Sequence, residues 1–342
     1  DEVNEIIERI EVCIMLKRVI CSLLCMLMIF SLVPFQNVKA EETTNANKTM
    51  GDMQEVMEDY LAENHADIKI GTQAYFDYVS EQKTTGEDKK LMERDDYNDL
   101  STYMGKYMIL VDEKQCYLTD EEQILNLSEE EKAMTLQEVR QEAIEEEKED
   151  LAWEKKLESQ PPVMTRASSY NATNAVNYAK KWAEKRNDAY DSYSNDCTNF
   201  ISQALYAGGI SMRKPSTIKH GITDTTDYWF SKKHKFTGST GRVTYEYDVT
   251  TSWMRVKAFY QYASAHGASV SKYDTISQLQ NNAKLGDIVQ LKDDSGWYHS
   301  IIITGGSKGN RTYCGHTSNK KDHPVADLNK KVKHKKFRII RF

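Results

Sequence analysis

"YSNDCTNFISQALYAGG", residues Tyr193 to Gly209, sets a cysteine between a polar, turn-favouring run and an apolar helical pattern that stops at two glycines. Asn195 or Asp196 is placed to cap the helix, because an Asx side chain accepts hydrogen bonds from the unpaired amides of the first turn. Cys197 then falls in that first turn, where the macrodipole and the same amides favour a thiolate. Phe200, Ile201, Ala204 and Leu205 recur at helical spacing, so the helix packs through them and the sulfur is directed out of its end. Gly208 and Gly209 supply the left-handed turn that ends such a helix. A small buried cysteine is the competing reading, since most unpaired cysteines are core residues. A partner decides between the two.

"GDIVQLKDDSGWYHSIIITGG", residues 286–306, contains one. Ile288 to Leu291 reads as a buried strand, a glycine-containing loop returns the chain, and His299 stands at the mouth of the apolar strand that follows. A cysteine on a helix end facing a histidine on a strand is the arrangement for nucleophilic catalysis, in which the imidazole takes the thiol proton and returns it to the leaving group. A third group must orient the imidazole. "RTYCGHT" returns antiparallel after the "GGSKGN" turn, which puts His316 in reach of His299, with Asn319 as the alternative. The Cys197 amide is a donor for the oxyanion, and Tyr193 or Asp191 can complete that site, Tyr193 being preferred. Asp196 reads as a helix cap rather than a catalytic acid.

From Tyr170 onward, helices come first and an antiparallel sheet follows, which is the α+β class. "YNATNAVNYAKKWAEKRNDAYDSYSNDCTNFISQALYAGG", with the later "GD" and "HS" steps, resembles the opening of the putative amidase domain of secreted Gram-positive bacterial proteins. That family lies in the papain-like group of cysteine hydrolases with the NlpC/P60 and CHAP wall enzymes. The resemblance spans residues 170–342. It implies a papain-like, NlpC/P60-type fold with helices packed on a small antiparallel sheet, Cys197 as nucleophile, His299 as base and His316 in the third position. The longer hairpin before His316 departs from the NlpC/P60 pattern.

The remainder of the 342 residues divides by composition. From Met15, Lys17 and Arg18 precede an apolar run, and Val38 and Ala40 form a small-residue cleavage site, so residues 1–40 read as an upstream extension plus a secretory signal peptide cut after Ala40, leaving no membrane anchor. Residues 41–127 are expected to form a small mixed module, with a helix over "MGDMQEVMEDYLAEN" and a short strand pair in "KYMILVDEKQCYLT" turning at Asp112 to Gln115. Residues 128–168 read as an acidic helical spacer, started by a Ser128/Glu131 capping box and ended by the linker "PPVMTRASS". Residues 169–342 form the amidase-like domain. Its stretch from Ser211 to Thr251 reads as a long loop whose aromatics, Tyr228, Trp229, Phe230, Tyr245 and Tyr247, either wall a groove or fill the core beneath it.

Loss of Cys13, Cys21 and Cys25 with the leader leaves Cys116, Cys197 and Cys314, an odd set that excludes a disulfide scaffold but permits a Cys116 to Cys314 bridge. No CxxC or HExxH spacing marks a metal, no glycine-rich loop marks a phosphate, and His220, His234, His266, His323 and His334 read as scattered surface residues. The chemistry calls for no cofactor. The net charge of −7 gives no nucleic-acid footprint, while the basic stretch from Arg311 to Arg341 suits an anionic polymer such as a bacterial wall. The reading that unites these features is a secreted cysteine amidase acting on peptidoglycan peptide or sugar-peptide amides. A secreted protease or acyl transferase, and a non-catalytic wall-binding module of the same fold, are the rivals.

Overall fold

The computed structural model describes residues 48–159, 170–237, 241, 243–332 and 335–342. The leader with its cleavage site at Ala40, Cys13, Cys21, Cys25, the linker at 161–169 and His334 lie outside the described residues.

The regular elements described between residues 48 and 159 are helices: α1 (Met50–Asn64), α2 (Gln73–Thr84), α3 (Lys89–Met92), α4 (Tyr97–Lys114), α5 (Glu121–Leu125), α6 (Glu129–Ala133) and α7 (Leu136–Glu158). α8 (Ala172–Trp182) and α9 (Cys197–Ala207) follow, then β1 (Ile222–Thr223), β2 (Ser231–Thr237), β3 (Val243–Thr250), α10 (Thr251–Met254) and α11 (Val256–Ala265). The chain ends through β4 (Ser269–Tyr273), α12 (Ile276–Asn282), β5 (Ile288–Asp293), β6 (Gly296–Ser307), β7 (Asn310–Gly315), β8 (Lys320–Pro324), a 3-10 turn (Val325–Asp327) and β9 (Lys336–Arg341).

The fold is α+β. A six-stranded antiparallel sheet runs in the order β4-β9-β5-β6-β7-β8, and β1-β3-β2 forms a second, three-stranded sheet. Successive strand residues point to opposite faces. Val289, Leu291, Ile301, Ile303, Phe337 and Ile339 therefore share one face, packed against Met57, Phe76, Leu100 and Met104 of the N-terminal helices. Ile288, Ile302 and Ile340 share the other, against Ala175, Phe200, Ile201 and Phe259. Covering both faces is why "SIIIT" is apolar without alternation.

Three expectations are corrected. The strand pair of the mixed module is absent among the described residues, because "KYMILVDEK" lies inside α4. Tyr97, Leu100, Tyr103, Met104, Tyr107, Met108 and Val111 are buried at three- and four-residue spacing, a helical stripe longer than the window that suggested strands. The acidic segment starts at the Ser128 capping box, as expected, but is two helices and no free spacer. α7 buries Leu136, Val139 and Ala143, and its acids grip the sheet: Asp150 Oδ2 lies 2.9 Å from Arg338 Nη1 and accepts the Trp297 indole N–H at 2.9 Å. Finally, Ser211 to Thr251 holds the three-stranded sheet rather than one long loop. Its aromatics divide: Trp229 and Phe230 are core, with Trp229 Nε1 donating to Ser202 Oγ at 3.0 Å, whereas Tyr245 is exposed.

Candidate active site

Cys197 is the first residue of α9 and Asp196 is its N-cap. Asp196 does not cap through its side chain, contrary to expectation, because other donors claim the carboxylate. Oδ1 accepts from Asn199 Nδ2 at 2.7 Å and from the Tyr193 amide at 3.2 Å, while Oδ2 lies 2.5 Å from His316 Nδ1 and 3.3 Å from Arg186 Nε. This buried knot fixes the turn that presents Cys197.

Thr198 Oγ1 is 3.7 Å from the Cys197 sulfur, and the Ser300 backbone, next to His299, favours the thiolate against the burial. These neighbours set the helix end against β6. Ser300 Oγ is 3.1 Å from Thr198 Oγ1 and accepts from Gln290 Nε2 at 3.1 Å. Gln290 Oε1 in turn accepts from Arg338 Nε at 2.6 Å, and the Arg338 guanidinium lies between the Tyr260 and Trp297 rings. A chain of polar contacts thus ties α9, β6, β5, β9 and α7 behind the sulfur.

His299 is fully buried, and neither ring nitrogen has a hydrogen-bond partner among the described residues. Burial alone pushes its pKa down from 6.5 to about 4. A buried imidazole whose two nitrogens lack protein partners costs free energy that a purely structural core residue has no reason to incur. Burial also pushes the Cys197 thiol up to about 12, with the Asp112 carboxyl adding to the shift. The helix-end field expected to favour a thiolate is outweighed by desolvation, so in this closed arrangement thiol and imidazole are both neutral.

The third position is corrected. β7 sets Cys314 opposite Ile302, so His316 lies beyond the end of that strand and turns to α9. Its ring stacks on Phe200, and its second nitrogen, Nε2, is 2.7 Å from the Trp182 carbonyl. With both nitrogens engaged, His316 cannot hold His299. Asn319 is exposed and accepts from Arg186 Nη1 at 2.9 Å, so it is not the orienting group either. The Cys116 to Cys314 bridge is absent: both are free thiols, their sulfurs turned to the Asp112 carbonyl and to Thr304 Oγ1 respectively.

Cys197 is buried with Val256 and Trp297, and the end of α4 packs beside it. Asp112, buried near the C-terminal end of α4, accepts the Val256 amide at 3.2 Å, and burial pushes its carboxyl up to about 7. Gln115 clamps Asn195 at both backbone groups, at 3.0 Å each, and Gln73 Nε2 reaches the Ser194 carbonyl at 3.3 Å. Beside this clamp lies a cleft of ≈ 590 Å³ lined in part by Gln73, Asp77, Arg186, Asp191 and Tyr193. Tyr193 therefore stands on a cleft wall next to the turn that presents Cys197. Asp112 carries no motif in sequence; only long-range packing reveals it.

Residues 169–340, half of the chain, match the family model described as "Putative amidase domain". Among curated proteins, the chain is similar to Uncharacterized protein YhbB of Bacillus subtilis (strain 168), 29% identical over 157 residues, which is 45% of this chain and 43% of that protein. It is also similar to Uncharacterized protein YjcM of the same organism, 29% identical over 170 residues, or 47% of this chain and 34% of that protein. The chain spans less than half the length of these curated relatives. No solved structure matches it.

Proposed function

The chain belongs to the putative amidase domain family, and on that premise we propose that it is a cysteine-dependent amide hydrolase with Cys197 as nucleophile and His299 as general base. The observation that carries the assignment is the buried His299 imidazole, without a hydrogen-bond partner among the described residues, next in the chain to Ser300, whose hydroxyl meets Thr198 beside Cys197. His299 takes the Sγ proton, and the thiolate attacks the amide carbonyl carbon. The oxyanion draws on the Cys197 amide at the helix start. Collapse breaks the C–N bond, His299 passes its proton to the departing amine, and a thioester remains. Water then attacks the thioester with His299 as base, which releases the carboxylic acid and restores the thiol.

The finer reading follows from the resemblance and the leader. The fold is of the papain-like NlpC/P60 and CHAP type, the protein is exported through the segment ending at Ala40, and the substrate is a peptide or sugar-peptide amide of cell-wall peptidoglycan. The cleft beside Tyr193 and Arg186 is the substrate approach. His316 and Asp196 act as positioning residues for the α9 turn. Purified peptidoglycan incubated with the wild-type chain is expected to release new amino groups, with release abolished in Cys197→Ala and reduced at least 100-fold in His299→Ala, a range typical of general-base loss. Release by Cys197→Ala at the wild-type rate overturns the mechanism. Cleavage of casein without wall lysis moves the substrate to proteins. Sacculus binding without turnover, unchanged by thiol blocking, makes the chain a binding module.

A further inference from the structure

Away from the cysteine site, the β2–β3 hairpin gathers side chains that are distant in sequence. Its register pairs His234 with Glu246 and Lys232 with Asp248, so by the two-residue period His234, Glu246 and Asp248 share one face. His220 joins them from the segment just before β1, which pairs with β3 at Val249. One donor atom each from His220, His234 and Glu246 falls within 4.8 Å of the others. Histidines that read as scattered in the sequence therefore converge.

The second observation is the carboxylate behind them. Asp248 is buried, its Oδ1 lying 3.1 Å from His220 Nδ1 and its Oδ2 3.3 Å from His234 Nδ1. Oδ1 is itself held by the Gly221 amide at 3.0 Å. His220 Nε2 is 2.7 Å from Glu246 Oε2. A carboxylate that takes the Nδ1–H of an imidazole fixes the tautomer whose Nε2 lone pair is available to a metal, and raises its basicity. Here one carboxylate hydrogen-bonds the His220 ring and lies 3.3 Å from Nδ1 of the His234 ring. Two neutral imidazoles and two carboxylates balance a divalent charge. Three protein ligands leave a fourth position open, and a cleft of ≈ 660 Å³ lined in part by Lys214, Thr217 and Lys232 gives access.

We propose that His220, His234 and Glu246 bind one divalent transition-metal ion of the zinc type, with Asp248 orienting both imidazoles. The ion ties the segment before β1 to the hairpin. Through Lys233 Nζ and Tyr247 Oη, which donate to the Asp188 carbonyl at 2.6 and 3.2 Å, the hairpin also supports the stretch that leads to Cys197.

The test uses the untagged full chain, stripped of metal and titrated with cobalt(II) chloride followed by zinc chloride. One equivalent of cobalt is expected to give visible ligand-field bands that one equivalent of zinc abolishes, and saturating zinc is expected to raise the Tm. His220→Ala and His234→Ala should each weaken zinc binding at least 100-fold. Asp248→Asn should weaken it 10–100-fold while keeping one site per chain, as loss of an orienting carboxylate does. His220 is exposed at its side chain, so His220→Ala retains the fold, and circular dichroism checks this. Absence of stoichiometric zinc binding, or binding unchanged in both histidine variants, overturns the proposal.

Discussion

The Cys197 thiol and the His299 imidazole have had their pKa values driven apart in the direction that keeps both uncharged. Full burial is the dominant cause in each. Alkylation of the full chain by iodoacetamide at pH 8 is therefore expected to be slower at Cys197 than at a model thiol of pKa about 8.5, because only the thiolate reacts. Asp112→Asn should accelerate it by removing the nearby negative charge, with peptide mass spectrometry locating the label; equal rates in the two proteins would remove Asp112 from the account. The His299 shift also sets a pH dependence. Above pH 6.5 the ring is neutral whether the chain is folded or unfolded; as pH falls from 6.5 to about 4 only the unfolded chain takes up the proton, so stability falls. The full effect is on the order of 3 kcal/mol. The loss in unfolding free energy between pH 6.5 and 4.5 should shrink in His299→Gln, and an unchanged slope would place the acid sensitivity elsewhere.

At the scale of elements, the N-terminal helices are fastened to the sheet by buried charge as well as by apolar contact. Lys83 of α2 pairs with Asp293 at the end of β5, and its Nζ also donates to the Ser101 carbonyl at 2.8 Å; both side chains of the pair are fully buried. Removing one member leaves an uncompensated buried charge. Lys83→Met is thus expected to destabilise the protein by about 3–5 kcal/mol, and Lys83→Met with Asp293→Leu to recover much of that, as read by urea denaturation. A single variant within 1 kcal/mol of wild type, on the order of a surface pair, would show that the pair is not isolated from water. This fastening was not legible in sequence, because Lys83 and Asp293 are ordinary surface residue types with no local pattern to connect them. α1, α8, α9 and the β5–β6 pair were legible, since their apolar spacing and turn residues are local signals.

For the whole molecule, the sheet is sandwiched between two helical layers. Residues 169–342 alone would bare Val289, Leu291, Ile301, Ile303, Phe337 and Ile339. At about 1.5–3 kcal/mol per large side chain, that exposure is on the order of 10 kcal/mol, comparable with the 5–15 kcal/mol that stabilises a domain. The fragment 169–342 is therefore expected to lack a cooperative thermal transition and to bind a hydrophobic dye, and a transition as sharp as that of the full chain would show that the N-terminal layer is dispensable. The sequence by itself determined the α+β order, the place of Cys197 at a helix start and the place of His299 on an apolar strand, because each depends on residues within a few positions of one another. Tertiary structure decided that His316 serves Asp196 and not His299, that Asp112 and Gln115 at the end of α4 hold Val256 and Asn195 beside the thiol, and that two scattered histidines meet over a buried carboxylate. Those outcomes depend on strand register and on which face of the sheet each helix covers, quantities set by packing between residues 28 to 120 positions apart rather than by any local pattern.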